Sequence, residues 1–333
     1  MNFLSKFKKK FSSVRNFYSS DGLSFRISFH HVIILLLLVS NLVFPQEDSK
    51  KVSSQNPSPM VENVREHKRI EKENFDGIDF KINNILNVPF EIFIPVKAQE
   101  AKEINLLIHF HGSSIPVKYA IEQQKEKFFA AIINLGTGSK VYYNQFGDST
   151  LFLHLVDSIK SRCEKKLSHK IEIDKIILSG FSAGYGAIKK IISNEENYQA
   201  VSGIILLDGL HASYIPEGKV LYKGGKIDST AYEYFLKFAS DAVDNNNGKN
   251  FLFTHTEIFP GTFVSTTESA DFMLRKLNIK AEPVLKWGPM GTQQISEAKK
   301  GSFEIMGFAG NTAPDHIDQL EGLYFFLQEL LSL

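Results

Sequence analysis

Short apolar runs alternate with longer segments of helical hydrophobic periodicity from about residue 75 to the C terminus. The runs have the length and the β-branched and aromatic content of buried strands, at residues 90–96, 104–110, 129–135, 175–180, 203–208, 250–256 and 302–308. The helical pattern is clearest at residues 150–166, 183–193, 230–243, 269–277 and 316–331. This alternation predicts an α/β fold, with a mostly parallel central sheet flanked by helices.

The first 46 residues have a different pattern. Residues 1–31 carry six lysines and arginines against the single acidic residue Asp21, and residues 32–44 are apolar except for Ser40 and Asn41. A cationic segment followed by a short apolar one is typical of a secretory signal, and a permanent membrane span needs about 20 apolar residues. Residues 1–46 are therefore interpreted as a signal sequence, with an uncleaved anchor as the alternative. The protein is expected to be exported, to the periplasm or the medium, and to touch a membrane only through residues 32–44.

Residues 47–74 are polar and show no sustained apolar period, which indicates a linker. The predicted organisation is thus a signal or anchor at 1–46, a linker at 47–74 and one α/β domain at 75–333. The charges of the chain are balanced, with Lys+Arg 38 against Asp+Glu 37, so no basic field would attract a nucleic acid. The single cysteine, Cys163, excludes an intramolecular disulfide and a thiolate metal cluster.

Ser182 lies in the pentapeptide GFSAG, residues 180–184, where a predicted strand meets a predicted helix. The spacing Gly-x-Ser-x-Gly at such a junction matches a nucleophile elbow, in which flanking side chains would collide with the strand and the helix. The loop GTGSK, residues 136–140, lacks the spacing of a phosphate-binding loop, and no nucleotide or other cofactor is expected.

A serine hydroxyl needs a base to become a useful nucleophile. Three histidines follow Ser182, and His316 is the best candidate because it lies between the last predicted strand and the last helix. A histidine base in turn needs a carboxylate. Asp208, at the end of a predicted strand, is the first candidate for this acid, and Glu257, at the end of the next strand, is the alternative.

The stretch HFHGSS, residues 109–114, ends another predicted strand with a His-Gly turn. Backbone amides near Gly112 and Ser113, together with that of Ala183, are candidate donors to an oxyanion. His109 and His111 are two residues apart and would share a strand face, which also permits a metal site. No third ligand is placed by the sequence.

Over residues 75–333 the sequence resembles the α/β-hydrolase superfamily. The resemblance rests on four features: HFHG, GFSAG, a carboxylate at a later strand end and a late Asp-His pair. The resemblance implies an eight-stranded, mostly parallel sheet and esterase, lipase or peptidase activity without metal or cofactor. It implies these roles: Ser182 as nucleophile, His316 as base, Asp208 or Glu257 as acid, and Ala183, His111, Gly112 and Ser113 around the oxyanion. The expected substrate is a small or polymeric carboxylic ester, with an amide less favoured.

Two other functions fit the same sequence. Hydrolase folds also host binding or scaffold proteins without activity. A metal-dependent hydrolase using His109 and His111 is the second alternative. Loss of activity on removal of Ser182, but not on chelation, would distinguish the serine hydrolase from both.

Overall fold

The computed structural model describes residues 66–245 and 248–333, and all structural statements below concern these residues. Their strands are β1 (Gly77–Ile82), β2 (Phe90–Pro95), β3 (Glu103–Phe110), β4 (Phe128–Ile133), β5 (Glu172–Phe181), β6 (Gly203–Leu207), β7 (Tyr214–Ile215), β8 (Lys226–Ile227), β9 (Asn250–Thr256), β10 (Glu282–Trp287), β11 (Gln293–Lys300) and β12 (Phe303–Phe308). Their α-helices are α1 (Ser114–Gln123), α2 (Ser139–Gln145), α3 (Leu151–Leu167), α4 (Tyr185–Ile191), α5 (Glu195–Ala200), α6 (Glu233–Val243), α7 (Thr266–Leu277), α8 (Ala313–Glu321) and α9 (Leu323–Ser332).

Ten of these strands form one sheet in the order β1-β2-β4-β3-β5-β6-β9-β12-β11-β10. The central strands β4, β3, β5, β6, β9 and β12 pair in parallel, and the strands at both edges pair antiparallel. The prediction of a mostly parallel sheet flanked by helices is confirmed. The sheet has ten strands rather than the eight that the resemblance implied, because β11 and β10 extend it beyond β12.

All seven predicted strands are present, with ends shifted by up to three residues. The sequence analysis missed β1, β10 and β11, which lie at or next to the sheet edges. These strands are less buried than the central ones, and β10 contains Pro283, so they lack the apolar runs of the central strands. The short helices α1, α2 and α5 were also missed.

The central strands are apolar at successive positions because both faces of the sheet are covered. In β3, Leu106 and Ile108 pack into one buried cluster, whereas Leu107 packs into a second cluster with residues of α1 and α9. Helices therefore bury both faces, and only the strand ends remain open for a site.

Part of the expected linker is bound to the domain. His67 Nδ1 lies 2.8 Å from a carboxylate oxygen of Asp318 on α8, and the Arg69 guanidinium donates to the same carboxylate. The amide of Ile70 donates to Glu321 at the end of α8. His67, Arg69 and Ile70, which lie within the predicted linker, thus contact α8.

The predicted signal or anchor at 1–46, and the linker up to residue 65, lie outside the described residues, so export stays a prediction. Within 66–245 and 248–333, no helix combines the length and the apolarity needed to cross a membrane.

Candidate active site

Ser182 occupies a strained turn directly after β5. Its φ is +47°, in the left-handed region, and the chain continues through a single 3-10 turn, Ser182–Gly184, into α4. A Cβ on Gly184 would lie 2.2 Å from the carbonyl oxygen of Phe110, and one on Gly180 would lie 3.0 Å from the backbone of Gly184. Both glycines are therefore required by the close approach of β3, β5 and α4.

We expect Gly184→Ala to lower the free energy of unfolding by about 3 kcal/mol or more, because the new methyl group meets backbone that cannot move aside. Urea unfolding followed by circular dichroism measures the change. Gly224→Ala is the control: Gly224 has φ +82° but its added Cβ would meet nothing closer than 3.8 Å, so only the conformational cost of about 1 to 2 kcal/mol applies. Equal losses in the two variants would contradict the steric argument.

Asp208 and His316 are in direct contact although 108 positions separate them in the chain. Asp208 follows β6, and His316 lies in the first turn of α8 after Pro314. His316 Nδ1 is 2.7 Å from Asp208 Oδ2. An ionised carboxylate can accept a hydrogen bond but cannot donate one. Nδ1 of His316 therefore carries the proton, and Nε2 is the unprotonated, basic nitrogen.

Asp208 is buried, with 2% of its surface exposed, and its carboxylate is held on several sides. Oδ1 accepts from the Thr256 amide at 2.9 Å and from the Thr266 hydroxyl at 2.5 Å, and Oδ2 accepts from the Thr256 hydroxyl at 2.7 Å. Burial alone would raise the pKa of this carboxyl, but the bonds from His316, Thr266 and Thr256 outweigh it and lower the pKa below the ordinary value. Asp208 is thus ionised at neutral pH. The sequence analysis did not identify the two threonines.

Glu257, the alternative acid, lies elsewhere. It is exposed at the end of β9, and its Oε2 accepts from the Gly310 amide at 3.1 Å. Asp315, the neighbour of His316, accepts from the amide and hydroxyl of Thr312 in a capping box at the start of α8. The carboxylate that the structure brings to His316 is therefore that of Asp208.

Ser182, Asp208 and His316 line one cavity of about 550 Å³. Among the described residues, no hydrogen bond joins the Ser182 hydroxyl to His316. Such bonds are often long in a ligand-free enzyme and shorten when substrate binds. The ring of His316 packs on Phe181 with the ring centres 4.5 Å apart, which orients the imidazole next to the serine turn.

The turn after β3 contains backbone amides without an acceptor among the described residues. His111 and Gly112 both have positive φ, +74° and +109°. The His111 amide donates to Ile133, so it is occupied, whereas those of Gly112 and Ser113 have no acceptor among the described residues. Ala183, in the first turn of a 3-10 helix, likewise has an amide without an intrahelical acceptor. The amides of Gly112, Ser113 and Ala183 are thus free to bind an oxygen anion.

Both ring nitrogens of His109, and Nδ1 of His111, are engaged in contacts within the protein, which do not support a metal site at these two residues. His109 is fully buried, and its two ring nitrogens lie 3.1 Å from Ser179 Oγ and 2.7 Å from the carbonyl of His111. Burial lowers its pKa to about 4. His111 turns away and bonds to the hydroxyl of Tyr142 at 2.9 Å. The one group of three potential ligands within the described residues is His67, Asp315 and Asp318, where Arg69 already supplies a cation.

A second cavity, of about 710 Å³, also reaches Ser182. Its walls come from the loop before α2, from α4 and from the long connection after Asp208, where β7 and β8 form a small hairpin. His211 lines both cavities. The sequence analysis did not identify His211 as a lining residue. The one indication in the sequence is its position three residues after Asp208.

No family model matches this sequence, and no curated protein matches it in a sequence search. The solved structures that are similar to this chain include the following three. Est1E from Butyrivibrio proteoclasticus has 12% identity and a TM-score of 0.40, with 78% of this chain and 100% of that chain covered. Esterase B from Lactobacillus rhamnosis has 10% identity, a TM-score of 0.44 and coverages of 78% and 88%. Acetyl xylan esterase from Aspergillus awamori has 16% identity, a TM-score of 0.43 and coverages of 75% and 100%.

Proposed function

We propose that this protein is a serine hydrolase that cleaves a carboxylic ester through an acyl-enzyme on Ser182. One observation carries the proposal: the 2.7 Å contact between His316 and the buried Asp208, in a cavity that also holds a serine on a strained turn. A buried carboxylate, a histidine of defined tautomer and a serine that lines a cavity are the parts that acyl transfer requires.

In the proposed reaction, His316 Nε2 accepts the proton of the Ser182 hydroxyl as the oxygen attacks the ester carbonyl. Asp208 holds the imidazole in place and stabilises the imidazolium that forms. His316 then returns the proton to the alcohol oxygen as the C–O bond breaks, which leaves an acyl-enzyme. Water, deprotonated by the same nitrogen, releases the acid and restores Ser182.

The negative charge that develops on the carbonyl oxygen is stabilised by the amides of Ala183, Gly112 and Ser113. Fixed donors of this kind are worth about 3 kcal/mol each, because they need no reorganisation during the reaction. The His111 ring supports the turn from the side, stacked on Phe181 at 6.0 Å and bonded to Tyr142. All of these groups come from the chain itself.

The proposal is tested by labelling the full chain with a fluorophosphonate, a reagent that reacts with activated serines. We expect wild type to be labelled and to hydrolyse 4-nitrophenyl acetate. In His316→Ala the labelling rate should fall about 10³-fold, since the general base is removed. His154→Ala is the control, because His154 is exposed on α3. EDTA should have no effect.

Two outcomes would favour the other functions. Folded wild-type protein that neither reacts with the probe nor hydrolyses esters would indicate an inactive binding or scaffold protein. Activity that EDTA abolishes and Zn²⁺ restores would indicate a metal-dependent hydrolase.

A further inference from the structure

Two cavities meet at Ser182 and differ in which part of the proposed machinery they contain. The first, of about 550 Å³, is lined by His316 but not by Ala183. The second, of about 710 Å³, is lined by Ala183 and His111 but not by His316. The two cavities share Ser182, His211 and Phe263 and differ in the rest of their walls, one including the base and the other Ala183.

The chemistry of ester cleavage assigns the two halves of a substrate to these cavities. His316 must protonate the departing alcohol oxygen, so that oxygen lies within hydrogen-bond distance of the imidazole. The alcohol half then enters the cavity that His316 lines. The carbonyl oxygen points to the amides of Ala183 and the turn after His111, and the acyl half is directed into the second cavity.

The alcohol cavity has an apolar wall. Five apolar residues line it, together with the reacting groups and the polar residues His211, Thr266, Asn311 and Thr312: Ile258, Pro260, Phe263, Ala313 and Pro314. Such a surface favours an alkyl or aryl alcohol, because burying apolar area contributes roughly 25 cal/mol per Å².

The acyl cavity has more polar surface than the alcohol cavity, because hydroxyl and charged side chains line part of it, in particular Ser139, Lys189, Ser213, Asp228 and Thr230. Lys189 and Asp228 carry opposite charges. Burial lowers the pKa of Lys189, while the Asp228 carboxylate opposes that effect. With one charge of each sign, the cavity has little net charge, and it favours a neutral acyl group with hydrogen-bonding capacity over an ionised one.

His211 lies where the two cavities meet and is held in one tautomer. Its Nδ1 is 2.9 Å from the carbonyl oxygen of Val264, which can only accept, so Nδ1 carries the proton. Burial lowers the pKa of this histidine, so the ring is neutral at neutral pH. Its Nε2 has no partner among the described residues and is not buried, and it is therefore an acceptor open to the cavities. The rings of Phe263 and Tyr185 pack edge-on against it and prevent it from turning.

We propose that the substrate is an ester of a hydroxylated acyl group with an apolar alcohol, and that His211 Nε2 accepts a hydrogen bond from the acyl hydroxyl. This inference rests on the proposed serine hydrolase function. It makes His211 a specificity-determining residue for the acyl half, without a role in proton transfer at Ser182.

The test uses two isomeric esters built from the same parts in opposite order, hexyl 3-hydroxypropanoate and 3-hydroxypropyl hexanoate. For each, kcat/KM is measured with the full chain and divided by the rate constant of alkaline hydrolysis, which removes the difference in intrinsic reactivity. We expect wild type to prefer the hydroxyacyl isomer by about tenfold or more, as one well-placed hydrogen bond supplies. A corrected ratio of one, or a preference for the hexanoate, would overturn the assignment of the cavities.

Two variants test whether His211 is the acceptor for the acyl hydroxyl. Asn at position 211 can still donate to Val264 but offers no acceptor at the Nε2 position, so His211→Asn should bring the corrected ratio close to one. Gln places an amide oxygen near the Nε2 position, so His211→Gln should retain part of the preference. His154→Asn is the matched control and should keep the wild-type ratio. A wild-type ratio in His211→Asn would exclude His211 as the acceptor.

Failure of this inference is distinguishable from failure of the proposed function. Wild-type protein that a fluorophosphonate labels, but that does not discriminate between the isomers, remains a serine hydrolase with a different acyl preference. Folded protein that is not labelled and cleaves neither ester refutes both proposals.

Discussion

Ser182→Ala is expected to lower kcat for ester hydrolysis by about 10⁵-fold or more and to abolish covalent labelling by a fluorophosphonate. The substitution removes the oxygen that forms the acyl-enzyme and leaves His316, Asp208 and the amides in place. The remaining activity should come from stabilisation of the oxyanion alone. Initial rates with 4-nitrophenyl acetate, and intact-mass spectrometry after exposure to the probe, give the two readouts.

The control is Ser332→Ala, near the C terminus, where the exposed hydroxyl bonds only to the Glu329 carbonyl. It should behave as wild type in both assays. Labelling that persists in Ser182→Ala, with a mass shift mapped to another residue, would show that the nucleophile lies elsewhere and would refute the mechanism proposed for this site.

Asp208→Asn is expected to lower kcat/KM by about 10⁴-fold while Ser182 and His316 stay in place. An amide at this position can donate to His316 Nδ1. The imidazole would then carry its proton on Nε2, the nitrogen that must accept the proton of Ser182. The imidazolium that forms during the reaction would also lose its 2.7 Å contact with a carboxylate. Rates with 4-nitrophenyl acetate across the pH range measure the loss.

Glu257→Gln is the matched control for Asp208→Asn. The change is again from carboxylate to amide at a strand end, and the amide oxygen can still accept from Gly310. We expect less than about a twofold change in kcat/KM, as for a surface substitution far from the reacting groups. The reverse result, a large loss in Glu257→Gln and a small one in Asp208→Asn, would assign the acid to Glu257.

The sequence was most informative where strands are buried on both faces. The run of residues 203–207 has no polar side chain, and the structure places β6 there with all five residues buried. Strands at or next to the sheet edges lack such an apolar run. In β11, QQISEAKK, most side chains are polar because one face meets solvent, and β10 contains a proline that only an edge tolerates.

For the candidate site, sequence alone identified Ser182 through its two flanking glycines and His316 through its order in the chain. It left the acid open between Asp208 and Glu257, since both end parallel strands. Which carboxylate meets His316 depended on the direction of the two side chains. Asp208 bonds to Thr256 and to His316 on α8, whereas Glu257 bonds to the backbone of Gly310. The sequence analysis did not identify His211 as a residue of the site. Its tautomer depends on a contact with Val264, which is distant in the chain.

The sequence by itself determined the central strands, the serine turn and the order of chemically active residues, because these depend on local hydrophobic periodicity and on the steric needs of glycine. Only the tertiary structure decided which groups meet. The strands β3, β5 and β6 run parallel, so the residues that follow them, His111, Ser182 and Asp208, emerge at one edge of the sheet. A contact such as that between Asp208 and His316 is set by packing across the whole domain, and no local pattern encodes it.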